Sequence, residues 1–358
     1  MNIVFVTRNM HGGGAERVIS ELIKYLTKQQ IGCKVVTLEK EKVLYHIPPS
    51  VELHMIGEKS GNRLFDKYLR YKELRHYVKE IRPDLVVALP EEIGIYVIPA
   101  LFGTKIPVVV SERNNPWVMP WKKGTRLLRS LCYPHASGLI FQTEQAAGFF
   151  SNRVQRKGIV LPNPLDLTRL SEPWVGGRRK EIVGAGRLDK QKNFPLLIKA
   201  FALFYENHSD YKLIIYGEGV LQEELTKLAN SLLPSEAYSF PGRTTRLLEQ
   251  INGASMFVLS SDYEGLPNVV IEAMALGLPV ISTDCPSGGP SNLIEDGKNG
   301  ILIPVGNVQA LYKAMCRLAE NEDYAAALGK QAQKIKNKFN SEVVSEKWRG
   351  YFNAVAKQ

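Results

Sequence analysis

Tyr263-Glu264-Gly265-Leu266-Pro267-Asn268-Val269-Val270-Ile271-Glu272-Ala273-Met274-Ala275 is the stretch that decides how this chain folds. It follows the apolar run Met256–Ser260, turns at Gly265 and Pro267, and continues at helical period over Asn268–Leu276. A second apolar run, Val280–Thr283, comes next. Strand, turn, helix and strand within roughly thirty residues form the repeating unit of a parallel sheet. Strands of such a sheet are buried on both faces, so they read as continuous Val- and Ile-rich runs.

The same alternation extends in both directions. Upstream, Ile182–Ala185, Lys212–Tyr216 and Ala237–Phe240 read as strands, and Phe194–Glu206, Val220–Leu233 and Thr245–Asn252 as helices. Downstream, Val308–Asn321 reads as a helix. The first half repeats the pattern, with a helix over Gly14–Gln29 and strands at Asn2–Thr7, Lys34–Leu38, Leu85–Leu89, Val108–Ser111, Gly138–Gln142 and Ile159–Leu161. Asp166–Lys180, with Pro173, Gly176, Gly177 and Arg178-Arg179-Lys180, breaks the pattern and reads as a linker. A length of 358 residues exceeds one ordinary core. The expectation is an α/β protein of two doubly wound domains, 1–165 and 166–340. A last helix follows over 341–358, carrying Trp348, Tyr351 and Phe352.

Composition narrows the class. No apolar run approaches the roughly 20 residues of a membrane-spanning helix, and Met1–Thr7 reads as a strand rather than a signal peptide. Cys33, Cys132, Cys285 and Cys316 form no C-x-x-C pair, which fits a reducing cytoplasm and neither a disulfide framework nor a zinc site. The net charge of +10 is one-sided: residues 1–165 hold 24 basic and 14 acidic side chains, and residues 166–358 hold 22 of each. An excess confined to one half implies an anionic partner for that half.

Three segments carry chemistry. In the opening stretch, Glu264 falls in the turn and Glu272 on the helix behind it. A carboxylate accepts hydrogen bonds from vicinal diols, so a sugar and a ribose are natural ligands. The N–H groups of Leu266, Asn268 and Val269 at the helix start suit phosphate oxygens. In Gly184-Ala185-Gly186-Arg187-Leu188-Asp189-Lys190-Gln191-Lys192-Asn193, Arg187 and Lys192 follow a strand of a parallel sheet, where ligands bind, and two cations suit a diphosphate. In His11-Gly12-Gly13-Gly14, the glycines and the helix behind them offer a backbone cradle for an anion. The dinucleotide fingerprint is not matched, because Ala15-Glu16-Arg17 follows, and Glu39 reads as part of a solvated turn.

Glu264 to Glu272 resembles the E-x7-E motif of retaining glycosyltransferases of family 4, which have the GT-B fold. The likeness extends over Gly186-Arg187-Leu188, Phe240-Pro241-Gly242-Arg243 and Gly277-Leu278-Pro279-Val280. It implies two Rossmann-like domains facing a cleft, with the C-terminal helix packing back toward the N-terminal domain. It assigns Glu264 to the transferred sugar and Glu272 to the ribose. Arg187 and Lys192, with Gly13 and Gly14, would hold the diphosphate, and the backbone around Arg243 would meet the base. No metal or other cofactor is implied. Ser111-Glu112-Arg113-Asn114 departs from the family, where a His usually stands at Arg113. This variant resembles a branch acting on lipid-linked oligosaccharides and exopolysaccharides with UDP-sugar donors, and it makes Arg113 a catalytic candidate.

The basic half is expected to face the acceptor, a polyprenyl-diphosphate-linked glycan at an anionic inner-membrane surface. Over 64–82, Leu64, Tyr71, Leu74, Val78 and Ile81 form one helical stripe, flanked by Lys72, Arg75 and Lys79. Trp117, Trp121, Lys122, Lys123, Arg126 and Arg129 form a second basic and aromatic cluster, a composition that suits a membrane interface. The expectation is therefore a cytoplasmic protein peripheral to the plasma membrane. A nucleotide-sugar epimerase is the rival enzyme. A nucleic-acid-binding protein is the rival non-enzyme, but the basic residues lie on helices without an aromatic strand platform, so no nucleic acid is expected.

Overall fold

The computed structural model describes all residues except Gly12, Glu58–Ser60, Pro173 and Gln358, and the side chains of Arg63 and Leu64. The chain divides into two compact units. The first is Met1–Pro164 together with the residues from Asn340 onward, and the second is Leu165–Phe339.

The first unit is built on a wholly parallel sheet of seven strands: β1 (Asn2–Thr7), β2 (Gly32–Thr37), β3 (Glu52–Met55), β4 (Leu85–Ala88), β5 (Val108–Ser111), β6 (Gly138–Phe141) and β7 (Gly158–Val160). Their order is β3-β2-β1-β4-β5-β6-β7. Successive side chains enter opposite cores, as the strand period of two requires. Val4, Val6, Val86 and Val110 pack under the helices Arg63–Ile81 and Glu91–Ala100, which contribute Leu74, Val78, Ile93 and Val97. Ile3, Phe5, Val87 and Val109 pack under Gly14–Lys28 and Ser341–Ala356.

That last helix belongs to the first unit because of what it buries. Trp348 is fully buried and donates through Nε1 to Pro162 O at 3.2 Å. The Tyr351 hydroxyl donates to Lys157 O at 2.5 Å and accepts from Leu139 N at 2.9 Å, tying the helix to β6 and β7. Truncating Trp348 to Ala would cost about 3–5 kcal/mol.

The second unit has six parallel strands: β8 (Arg179–Ala185), β9 (Lys212–Tyr216), β10 (Tyr238–Gly242), β11 (Ala254–Leu259), β12 (Val280–Thr283) and β13 (Ile301–Ile303). Their order is β10-β9-β8-β11-β12-β13. The chain runs outward from β8 to β10 and then returns to lay β11 on the other side of β8. The boundary between β8 and β11 is therefore the topological switch point, where open α/β sheets bind ligands.

The expected linker is displaced. The division falls after Pro164, and the segment from Leu165 to β8 is part of the second unit. Leu165 is buried in that unit's core, with Leu167 and Leu170 packed against it, and Leu165 N donates to Phe339 O at 2.7 Å. Pro173, expected in the linker, lies outside the described residues. Two strands carried no clear sequence signal. Edge strand β3 is half exposed and reads Glu-Leu-His-Met, and β13 is only three residues long.

Candidate active site at the carboxyl edge of the second sheet

The loops after three adjacent strands, β8, β11 and β12, are stitched together. Behind β8, Asp189 caps the short turn Lys190–Lys192, accepting from Lys192 N at 3.3 Å. Asn193 follows in the left-handed region at φ 43°, a conformation Asn tolerates better than most residues. Its side chain accepts from Leu196 N, starting the helix Phe194–Tyr205, and donates to Asp262 Oδ1 at 2.6 Å. Asp262 N donates to Gln191 O, and Ser260 Oγ donates to Lys192 O. These bonds join the β8 loop to the β11 loop. Thr283 Oγ1 donates to Ser261 O at 2.6 Å, Glu264 N to Pro286 O at 3.2 Å and Ser287 Oγ to Glu264 O at 2.9 Å, which joins the β11 loop to the β12 loop.

Glu264 sits at the centre of this stitching. It is buried, and its Oε1 accepts from Lys192 Nζ at 2.6 Å and from Ser261 Oγ at 2.7 Å. Gln191 Nε2 reaches Oε2 at 3.4 Å and Tyr263 O at 3.0 Å. The Lys192 and Glu264 side chains are only 13% and 8% exposed, so each charge depends on the other. Lys192, expected on a diphosphate, and Glu264, expected on a sugar, thus meet as one ion pair. Arg187 differs. Its side chain is 73% exposed, held 3.3 Å from both Asp189 Oδ2 and Gln191 Oε1, and able to swing onto a ligand.

The backbone here has little room. A Cβ on Gly289 would lie 1.6 Å from Gly265 O, and one on Gly217, at φ 141°, would lie 1.8 Å from Gly186 O. Only glycine allows the loops after neighbouring strands to approach this closely. Val270 N and Ile271 N both donate to Pro267 O, so the helix Asn268–Ala275 starts at Asn268 and Val269, the two residues read from the sequence as its first turn. Leu266, just ahead, is buried. Glu272 lies one turn inside this helix and is also buried, at 5% exposure. Arg243 follows Gly242 at the end of β10 and is exposed. Cys285 shares the β12 loop, but burial, reinforced by the Glu264 carboxylate, pushes its thiol up to about 12 and leaves it no nucleophile.

The remaining expected residues lie in the first unit. Gly13 caps the helix Gly14–Lys28, as read from the sequence, whereas Gly12 lies outside the described residues. A Cβ on Gly13 would meet Glu16 Oε2 at 2.3 Å, because Glu16, three residues on, turns its carboxylate back onto the helix start. Burial raises that carboxyl above its usual range.

Arg113 follows β5 and is half-buried. It donates through Nη2 to Asn163 Oδ1 and through Nη1 to Ser111 Oγ at 3.5 Å, and it lies 5.9 Å over the Trp348 ring. Burial lowers its guanidinium to about 10. Glu112 beside it points into the core, where Arg129 Nη1 meets Oε1 at 3.1 Å and the Tyr133 hydroxyl meets Oε2 at 2.8 Å. Burial pushes the Glu112 carboxyl up.

The basic strip on Arg63–Ile81 needs correction. Leu74 and Val78 are buried, with Tyr71 and Ile81 packed beside them, as the stripe implied; the Leu64 side chain lies outside the described residues. Lys72 and Lys79 are exposed. Arg75 instead turns inward, donating through Nη1 to Ala100 O at 2.6 Å and Phe102 O at 2.9 Å. It satisfies carbonyls at and just beyond the end of the helix Glu91–Ala100. In the second cluster Trp117, Trp121, Lys122 and Lys123 are exposed, but Arg126 and Arg129 are engaged with backbone carbonyls.

The sequence reading missed Ser261, Gln191 and Ser287, which hold Glu264. Their signal was position alone, since each follows a strand beside the switch point. Among the described residues, the group close enough to hold a metal ion is His208, Cys316 and Glu320, which includes none of the expected site residues.

Two family models match the chain. One, described as Glycosyltransferase Family 4, covers residues 12–169, and the other, Glycosyl transferases group 1, covers residues 173–335. Among curated relatives, a Campylobacter jejuni protein named N-acetylgalactosamine-N,N'-diacetylbacillosaminyl-diphospho-undecaprenol 4-alpha-N-acetylgalactosaminyltransferase is 29% identical, with 91% of this chain and 92% of the relative covered. A second Campylobacter jejuni protein, an alpha-1,4-N-acetyl-D-galactosaminyltransferase whose name specifies a PP-undecaprenol-linked glycan, is 26% identical, with 97% of each chain covered. Among solved structures, HepE of Anabaena, in complex with UDP and glucose, superposes with a TM-score of 0.85 at 19% identity over 99% of both chains. Sucrose-phosphate synthase from Thermosynechococcus elongatus superposes with a TM-score of 0.86 at 16% identity, covering 99% of this chain and 98% of the other. These likenesses fix the architecture as GT-B.

Proposed function

The chain belongs to the group 1 glycosyltransferases, and from that premise we propose that it is a retaining enzyme that moves a hexose or N-acetylhexosamine from a UDP-sugar to a polyprenyl-diphosphate-linked glycan. The observation that carries this reading is the position of Glu264. It is a buried carboxylate at the switch point, held by Lys192, Ser261 and Gln191 and followed by a helix N-terminus. Such a group can orient a sugar and stabilise positive charge growing at its anomeric carbon, while the helix start and Arg187 face the negative charge growing on the diphosphate. Lys192, paired with Glu264, can serve both. The names of the Campylobacter jejuni relatives support the lipid-linked acceptor, and the UDP in HepE supports the donor.

In this reading the acceptor hydroxyl attacks the anomeric carbon on the face that the diphosphate leaves. The bond from that carbon to the diphosphate oxygen breaks, and the acceptor's proton passes to the departing oxygen. The products are UDP and a glycoside of unchanged anomeric configuration. Glu272 binds the ribose, the backbone at Arg243 the base, and Arg187 and Lys192 carry the diphosphate's charge without a required divalent ion. Because the acceptor is lipid-borne, the enzyme works at an anionic membrane surface, on its cytoplasmic face. No helix among the described residues is long and apolar enough to cross a membrane.

The test is transfer from UDP-sugars to a short polyprenyl-diphosphate-linked glycan, with the product's anomeric configuration read by NMR and a parallel reaction in EDTA. An inverted product overturns the mechanism, and loss of turnover in EDTA overturns the metal-independent diphosphate site. Interconversion of UDP-sugars without acceptor would instead indicate an epimerase.

A further inference from the structure

The helix Lys123–Cys132 in the first unit is inside out. An amphipathic helix on a globular protein normally buries its apolar face and exposes its charges. Here Leu127, Leu128 and Leu131 are 64%, 52% and 60% exposed, while Arg129 is fully buried. The three leucines share an arc of roughly 100°.

The arginines face the protein because a loop needs their hydrogen bonds. Arg126 Nη1 donates to Val118 O, Pro120 O and Trp121 O at 2.8, 2.9 and 3.0 Å. Arg129 donates to Pro116 O at 2.6 Å and Met119 O at 2.7 Å, and pairs with Glu112. Its guanidinium also lies 5.1 and 5.0 Å over the rings of Phe149 and Phe150. The 116–121 loop is thereby fixed against the helix, with Trp121 60% exposed beside the helix start.

The charges around the leucines identify what covers them. The helix has no acidic residue, and Lys122 and Lys123 stand exposed at its N-terminal end, where the helix dipole disfavours cations. An anionic surface turns that repulsion into attraction. Leucines flanked by an exposed Trp and two lysines match a bilayer interface: apolar groups among the acyl chains, indole at the headgroup level and ammonium groups on lipid phosphates.

We propose that Leu127, Leu128 and Leu131 insert into an anionic bilayer, with Trp121, Lys122 and Lys123 at its headgroup layer. This deepens the reading of the acceptor as lipid-borne, replacing a purely electrostatic strip with an apolar insertion face. The test is co-sedimentation of the full chain with vesicles of phosphatidylcholine containing phosphatidylglycerol, and with phosphatidylcholine alone. The variant is Leu127→Ser/Leu128→Ser/Leu131→Ser, its fold checked by thermal unfolding. These side chains already face solvent, so the variant should fold. We expect at least about tenfold weaker binding to the anionic vesicles, unchanged transfer to a water-soluble acceptor, and weaker binding of the wild type to phosphatidylcholine alone. Anionic-vesicle binding equal to wild type overturns the proposal. So does a wild-type dimer in light scattering that the triple variant converts to monomer with vesicle binding intact, because the face would then belong to a second copy. Failure of the wild type to transfer to the soluble acceptor, with its vesicle binding intact, would count against the site reading instead.

Discussion

Lys192 and Glu264 meet at 2.6 Å across 72 residues of sequence, joining the loop after β8 to the loop after β11 at the point where the sheet reverses its winding. Both side chains are nearly buried. Removing either partner strands the other charge, which typically costs about 3–5 kcal/mol. Alanine at Glu264 therefore mixes two effects, lost chemistry and lost stability. Glu264→Gln keeps the shape and can still accept from Ser261 and Lys192. We predict that Glu264→Gln, which keeps the hydrogen bonds but not the charge, lowers Tm less than Glu264→Ala does and lowers kcat by about 10²–10³, the usual loss for a fixed charge-stabilising group. A Gln variant with wild-type kcat would remove Glu264 from the chemistry.

Glu272 should behave differently, because it lies a turn inside the helix and not in the stitched turn. A charged acceptor facing ribose hydroxyls contributes about 1.5–3 kcal/mol, so Glu272→Ala should weaken UDP binding by roughly 10- to 100-fold. Calorimetric titration of UDP into both variants separates the roles, since Glu264→Gln should leave UDP affinity within about threefold. Equal losses of UDP affinity in the two variants would contradict the division.

Much of this arrangement was legible in the sequence. Val108–Ser111 and Val280–Thr283 are strands with the expected bounds, because each is a continuous β-branched run buried on both sides. Glu264 and Glu272 were legible because carboxylates beside a strand end and inside an apolar helix stand out. The partners of Glu264 were not, because Ser261 and Gln191 become neighbours only when distant loops meet. Arg75 misled for a related reason. A helical wheel places it on the basic flank but cannot show that the Ala100 and Phe102 carbonyls, at and just past the end of another helix, lie within its reach. Arg126 and Arg129 hid the insertion face in the same way, since their inward turn leaves the leucines outside.

Close approach of the β11 and β12 loops depends on Gly289. An added Cβ would lie 1.6 Å from Gly265 O, so the turn carrying Glu264 must move. We predict that Gly289→Ala costs about 1–3 kcal/mol and lowers transfer. Gly124→Ala is the control. Nothing lies within 4 Å of its added Cβ, and in a helix the change should stabilise by up to about 1 kcal/mol. Chemical denaturation of both variants checks the contrast, which fails if Gly289→Ala is as stable as wild type.

Arg75 distinguishes a structural cation from a membrane-facing one. Its two charge-assisted bonds cap a helix, so Arg75→Ala should cost about 1–3 kcal/mol in unfolding free energy. It should leave binding to anionic vesicles unchanged. Weaker vesicle binding at wild-type stability would restore the residue to the membrane surface.

The C-terminal helix supplies a pH-dependent tether within the first unit. Glu346 accepts from Arg349 Nε and Nη2 at 2.7 and 2.6 Å and from the Tyr25 hydroxyl of the helix Gly14–Lys28. Arg349 first, then Tyr25, hold its carboxyl down at about 2, against an ordinary 4.5. A depressed acid stabilises the fold above its unfolded pKa and loses that contribution as pH falls through the folded one. The window here runs from about 4.5 down to about 2. The Glu346 side chain is 48% exposed and solvent screens the pair, so Glu346→Gln should cost no more than about 1 kcal/mol at pH 7. That gap should narrow steadily as denaturation is repeated at pH 4.5 and 3.5. A gap that stays constant across this range would mean that the ionised carboxylate is not what ties the helix down.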